Sequence, residues 1–235
     1  MRQLASKNFQ MSETPLRDPV QERSQLTREQ LLRSAIRSFT GAGYEASTTR
    51  QIETDAGVKR GLIAYHFGTK EALWKAAAAW LFQRAAEELS VAEKGAANVD
   101  SSERMRYFVR AFVRFSARFP EVNRLMIREG MEDDWRLDWL VENVVRPWYQ
   151  RVQRVYEEAR ALDLAPAMEF PHFFYILIGA ASLIFSQAPE VRRVAGLNPQ
   201  EESVVAAHAD ALAELLFPSD RIAAESADRT PGEET

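Results

Sequence analysis

From Leu31 to Leu216 the apolar residues recur at steps of three and four, and no stretch alternates apolar with polar at a period of two. A chain patterned this way buries its side chains by packing helix on helix, so the expected fold class is all-α. Its 235 residues allow one large domain or two small ones. With 46% hydrophobic and 27% charged residues, a wholly disordered or fibrous chain is excluded. There is no cysteine, which removes disulfide frameworks, thiolate zinc sites and cysteine nucleophiles. The N-terminus lacks an apolar signal core. The longest apolar run, Phe173 to Phe185, is interrupted by Gly179 and Ser182 and is too short to span a bilayer. The expectation is a cytoplasmic protein that does not enter a membrane.

Helix punctuation divides the chain. Residues 1–26 are polar and broken by proline, and read as a structureless tail. Thr27-x-x-Gln30 forms a capping box ahead of Leu31, Leu32, Ala35, Ile36 and Phe39, and Gly41 and Gly43 end that helix. A second box, Thr48-x-x-Gln51, opens a short helix that stops at Gly57, and GVKRGLIAYHF reads as another, ended by Gly68. Two short helices joined through Ala56, Gly57 and Val58, with Ile52 and Val58 sealing the angle, have the form of a helix-turn-helix. Thr69 caps a long helix to about Gly95, Asp100-x-x-Glu103 caps the next, and Pro120 closes it. EVNRLMIREGM, RLDWLVENVVRPWYQRVQRVYEEARAL, PHFFYILIGAASLIFSQA and ESVVAAHADALAELLF are also helical in period, giving roughly nine helices in all. The polar tail at 218–235 reads as disordered.

The stretch TTRQIETDAGVKRGLIAYHFGTKEAL, led by LLRSAIRSFTGAGYEAS, resembles the DNA-binding head of the tetracycline-repressor (TetR) family of bacterial transcription regulators. The resemblance covers about 65 residues in order and spacing. It implies a three-helix head at 27–72 and a helical effector-binding and dimerisation body at 73–217. In a helix-turn-helix the second helix presents its N-terminal residues to base edges. Here those are Lys59 and Arg60, able to donate to guanine O6 and N7, and Leu62, able to pack on a thymine methyl. Thr48, Thr49 and Arg50 start the preceding helix and are placed for phosphate. The resemblance adds Tyr65, His66 and Lys70 as backbone contacts. Lys59, Leu62 and Ala64 depart from the family's usual serine, threonine and tyrosine, so no relative's operator transfers. Ile63, Phe67, Leu73 and Trp74 are expected in the core.

Net charge is −4, which on its own argues against nucleic acid. The sum conceals an asymmetry. Residues 1–90 hold 13 basic against 10 acidic residues, a net of +3, while residues 91–235 hold 17 against 24, a net of −7. Positive charge therefore sits in the head. A modest +3 implies few phosphate contacts per subunit, so binding should need a dimer.

Within the body, the resemblance implies a small-molecule effector, and aromatic side chains favour an apolar or aromatic one. The candidate lining is Phe108, Phe112, Phe115, Met126, Trp135, Trp139, Trp148, Tyr149 and Tyr175, with Arg128 and His172 as polar partners; each aromatic is equally compatible with core. Arg124, Glu129 and Asn143 are further polar candidates that inter-helix ion pairing explains as well. Arg106, Arg110, Arg114 and Arg118 form a row at four-residue spacing, read as a solvated face paired with acidic neighbours. The family resemblance implies a homodimer through the two C-terminal helices, where Val204, Ala211 and Leu215 lie beside a second row of Val205, Ala209, Leu212 and Leu216. Effector binding would then oppose operator binding, with the long helix from Thr69 as lever. No phosphate-loop, dinucleotide, zincin or nucleophile-elbow motif occurs, and His66, His172 and His208 lie far apart, so neither enzyme, cofactor nor metal is expected. Glu132, Asp133 and Asp134 read as a loop or helix start. The alternatives left open are an activator of the same family and a helical ligand-binding protein whose head does not bind DNA.

Overall fold

The computed structural model describes residues 19–96 and 101–218, and among them every regular element is helical. The order is α1 (Pro19–Gly41), α2 (Thr49–Asp55), α3 (Leu62–Phe67), α4 (Lys70–Ala96), α5 (Ser101–Arg118), α6 (Pro120–Glu129), α7 (Trp135–Leu140), a π-helical turn (Val141–Val145), α8 (Arg146–Ala161), α9 (Phe170–Ser186), α10 (Ala188–Ala195) and α11 (Glu202–Leu216). Of the tails expected at 1–26 and 218–235, residues 1–18 and 219–235 lie outside the described residues, as does the cap at Asp100.

Three differences from the sequence expectation have local causes. Helix α1 starts at Pro19 rather than at the Thr27 box, because the intervening residues are mostly good helix formers and nothing there breaks the turn. The long helix expected over 136–162 is interrupted by the π-helical turn just before Pro147, whose ring would clash with the carbonyl four residues back; one extra residue in the turn relieves that clash. Helix α10 was not legible as a helix; it leaves α9 at a bend of 75° with Pro189 in its first turn. No single helix among the described residues is long and apolar enough to cross a membrane.

Two cores organise the chain. The head core joins Leu31, Leu32, Ala35 and Phe39 of α1 to Ile52 of α2, Ile63 of α3 and Leu73, Trp74, Ala77 and Leu81 of α4. Leu125 of α6 and Leu140 of α7 close it from the body side. The body core gathers α5, α8, α9 and α11 around Phe112, Tyr156, Phe173, Phe174 and Phe185. Helix α4 runs from the first core to the second, with Leu73 in one and Ala85 in the other.

Candidate nucleic-acid interface

The head begins with the loop between α1 and α2. Ser47 Oγ donates to the Gly43 carbonyl at 2.6 Å and receives Ser38 Oγ at 2.7 Å, while Ser34 Oγ reaches the Ile52 carbonyl at 3.0 Å. The first two bonds hold the loop together and onto α1, and the third ties α2 to α1. Thr48 caps α2 as expected, accepting from Gln51 N at 3.2 Å. At the other end the Val58 N–H donates to Glu53 O and the Gly57 N–H to Thr54 O, the paired bonds of a Schellman turn, which needs the left-handed conformation that Gly57 adopts at φ 67°.

The second short helix is shorter than the sequence suggested. Residues 58–61 form a turn, and α3 begins at Leu62 after Gly61, which has no side chain to cap it. The cap comes from α2: Glu53, only 6% exposed, accepts from Ile63 N at 2.8 Å. One buried carboxylate thus satisfies a free N–H of α3 and fixes the two helices against each other. Sequence reasoning missed Glu53. Its signal was a carboxylate beside Ile52 on the inward face of α2.

The predicted contact residues fall into three sets. Thr48, Arg50, Lys59, Arg60 and Tyr65 are exposed, Tyr65 at 79%. Lys59 and Arg60 stand on the turn before α3 rather than on its first turn. Thr49, His66 and Lys70 are half-buried. Lys70 Nζ sits 4.2 Å from the Tyr44 ring centroid and donates to the Glu45 carbonyl at 3.4 Å, anchoring the start of α4 to the α1–α2 loop. Leu62 is half-buried and packs partly into the head core. Ile63, Leu73 and Trp74 are buried as expected, and Phe67 is half-buried against them.

Head and body meet at a charged and aromatic joint. Arg136 of α7 is buried; its Nε reaches Glu129 at 2.5 Å and its Nη2 reaches Asp134 at 2.7 Å, with Glu45 at 3.6 Å. Burial alone would make this guanidinium easier to deprotonate, but the hydrogen bond and charge of Glu129, with Asp134 and Glu45, raise its pKa on balance. Asp134 also caps α7, accepting from Arg136 N at 2.8 Å, so of Glu132, Asp133 and Asp134 it is the last that takes the helix-start role. Arg128 donates to the Gly41 carbonyl at 2.7 Å, and Arg124 to the Ser186 carbonyl at 3.0 Å. Helix α6 therefore connects the end of α9 to the head loop.

The residues expected around an effector do not form one wall. Trp135 and Trp139 pack on Trp74 in the joint, with Met126 beside the same core, and Arg128 is spent on the head loop. Phe108, Phe112, Phe115, Trp148 and Tyr149 belong to the body core: Phe112 stacks with Phe108, Phe115 and Trp148, while Phe174 meets Trp148 at a tilt and Tyr149 edge-on. His172 and Tyr175 are exposed on α9. Asn143 donates to its own helix at the Trp139 carbonyl. Of the candidates only Phe115 borders the described cleft, a space of about 470 Å³ between α4, α5 and the start of α11 that Leu89, Tyr107, Arg114 and Val205 also line. The arginine row of α5 is paired as expected at Arg110 with Asp210 and at Arg118 with Glu88, but Arg106 is buried, bonded to Glu214 and to the Phe217 carbonyl. Among the described residues no group of acidic, histidine or cysteine side chains is arranged to hold a metal ion.

Residues 31–77 match the model of the tetR family of bacterial regulatory proteins. Over 64 residues the chain is 42% identical to the HTH-type transcriptional repressor AcnR of Corynebacterium efficiens, a match spanning 27% of this chain and about a third (34%) of that repressor. Among solved structures, a candidate fatty acid metabolism regulator of Clostridium perfringens superposes with a TM-score of 0.65 at 18% identity, covering 80% of this chain and 96% of that one. A tetR-family regulatory protein of Rhodococcus RHA1 superposes with a TM-score of 0.57 at 20% identity, covering 80% and 94%. The family model covers only the head, whereas the fold likeness extends through the body.

Proposed function

We propose that this member of the tetR family of bacterial regulatory proteins is a repressor that binds a palindromic operator as a homodimer and is released by a small apolar or aromatic effector. The observation that carries the DNA-binding half is the Glu53 lock. It fixes α3 against α2 while Tyr65 and the basic turn at Lys59 and Arg60 stay bare to solvent. In this reading Lys59 and Arg60 meet base edges from the turn, Thr48, Thr49 and Arg50 hold phosphate, and Tyr65, His66 and Lys70 meet the backbone.

The dimer reading is supported by what α9 and α11 leave uncovered. Val205, Ala209, Leu212 and Leu216 are spent in the subunit's own core, while Ala211 and Leu215 on α11 and Tyr175, Ile176 and Leu183 on α9 are exposed. The effector is assigned to the cleft beside α4, because that helix continues into the head core.

The test is a gel shift with DNA flanking the chain's own gene. Wild type should shift it and the Lys59→Ala, Arg60→Ala double variant should not. Unchanged binding by the double variant removes these two contacts, and absence of any shift favours a ligand-binding protein without DNA binding. Small aromatic and aliphatic molecules that bind the body yet leave the shift intact would exclude release by effector.

A further inference from the structure

Helix α1 extends well beyond its core. Its apolar stripe runs through Leu31, Leu32, Ala35, Ile36 and Phe39, all buried. Continued toward the N-terminus at the same three- and four-residue steps, the stripe consists of Arg28, Gln25, Ser24 and Gln21, all exposed. Residues 19–30 add about 18 Å of helix at about 1.5 Å per residue. A stripe that faced only protein would stay apolar, and one that faced only water would need no consistent composition. This one is polar along its centre line, with the carboxylates of Glu22 and Glu29 at its border, three residues from Gln25 and Leu32. At the junction the Arg28 guanidinium sits 5.3 Å from the centroid of the Phe67 ring, at the end of α3. Among the described residues Arg28 has no ion pair. The stripe therefore leaves the core beside the recognition helix and continues past it.

We propose that this stripe is a second DNA-contacting surface, in which Arg28, Gln25, Ser24 and Gln21 bind the phosphate backbone beside the half-site engaged by α3. Two amides, a hydroxyl and a guanidinium with no carboxylate among them are the side-chain types that donate to phosphate oxygens without reading sequence. The surface is continuous with the interface assigned above and rests on that reading. Its one cation, Arg28, is already counted in the net +3 of residues 1–90, so what the stripe adds to α2 and α3 is three uncharged hydrogen-bonding groups and a place for that cation to act.

The test places one added carboxylate on each side of the same helix. Ser24→Glu puts it on the stripe; Leu26→Glu puts it on the far side at a solvent-exposed position and leaves the same net charge. Binding to DNA flanking the gene, and to a duplex of random sequence, is measured across a salt series. Ser24→Glu should weaken both about tenfold while Leu26→Glu stays near wild type. Arg28→Ala should make the slope of log affinity against log salt shallower by about 0.9 per head, and Arg28→Lys should restore it. Restoring the slope distinguishes a phosphate contact from a role in merely supporting Phe67. If wild type binds its flanking DNA and Ser24→Glu and Leu26→Glu behave alike, the second surface is wrong and the operator reading stands. If wild type binds no DNA, both fall.

Discussion

The Arg136 guanidinium holds the Glu129 carboxylate at 2.5 Å where Glu129 is 1% exposed, so the charge pair that fastens α7 to α6 beneath the head has almost no access to water. Removing one member of a buried pair costs more than its pairing energy, because the survivor stays desolvated. Arg136→Met should therefore cost about 3–5 kcal/mol. Glu129→Gln should cost less, since Asp134 and Glu45 still face the guanidinium. Thermal unfolding followed by circular dichroism checks the order, at about 2–4 °C per kcal/mol for a chain of this size. A larger loss for Glu129→Gln would mean that Arg136 is not the centre of the joint.

Glu53→Ala should remove the only side-chain cap found on α3 among the described residues and cost about 1 kcal/mol of stability. Operator affinity should fall with it, although Glu53 is buried and touches no DNA in this reading. Urea unfolding and gel shift on the same variant measure the two effects. Stability lost with affinity intact would separate α3 order from DNA binding.

Gly43 has φ 92°, and a Cβ there would lie 2.5 Å from Arg128 Nη1. Gly43→Ala should cost about 1–2 kcal/mol for the left-handed backbone alone, with a further loss from displacing Arg128 off the Gly41 carbonyl. In a double-mutant cycle with Arg128→Ala, the second part should vanish and the first persist. Additive losses would show that the two residues do not touch in solution.

Burial pushes the Tyr156 hydroxyl above its ordinary value of 10, against smaller opposing effects of Arg160 and its hydrogen bond to Met168. The native state thus holds this proton more tightly than the unfolded chain does. Its contribution to stability is complete below pH 10 and is lost as pH rises through the raised native value. Tyr156→Phe should flatten that part of the alkaline decline at the expense of the bond to the Pro166 carbonyl at 2.7 Å. Melting temperatures of both proteins between pH 8 and about 11 test it; parallel curves would contradict the assignment.

Ile176→Glu with Leu183→Glu should convert a dimer to a monomer and abolish operator binding while leaving the melting of the subunit core little changed, because both positions are exposed in the single chain. Sedimentation and gel shift read the two outcomes. A double variant that remains dimeric would move the interface off α9.

Much of the head was legible because its signals are local. The Thr48 cap, the Gly57 turn and the buried periodicity of Leu31 to Phe39 are set by neighbours a few residues away. Bonds across the chain left no such signature. Glu53 to Ile63, Arg136 to Glu45 and Arg128 to Gly41 each join segments whose meeting depends on helix packing. The same blindness explains the scattered effector candidates: Trp135 and Phe112 look alike in sequence, yet one packs in the joint and the other in the body core. The interruption before Pro147 was foreseeable from the proline but not its form, since a π-helical turn and a kink satisfy the same steric demand.

Of the chain's five tryptophans, Trp74, Trp135 and Trp139 meet at the joint, with Trp74 ring centroids 5.2 and 5.8 Å from the other two. Lys75 Nζ lies 5.1 Å from the Trp135 ring centroid, a charge close enough to shift its emission. The molecule therefore carries its own optical gauge. A small displacement of α4 against α7 changes the spacing of three indoles and a cation together, and intrinsic fluorescence reports the head–body geometry without any label.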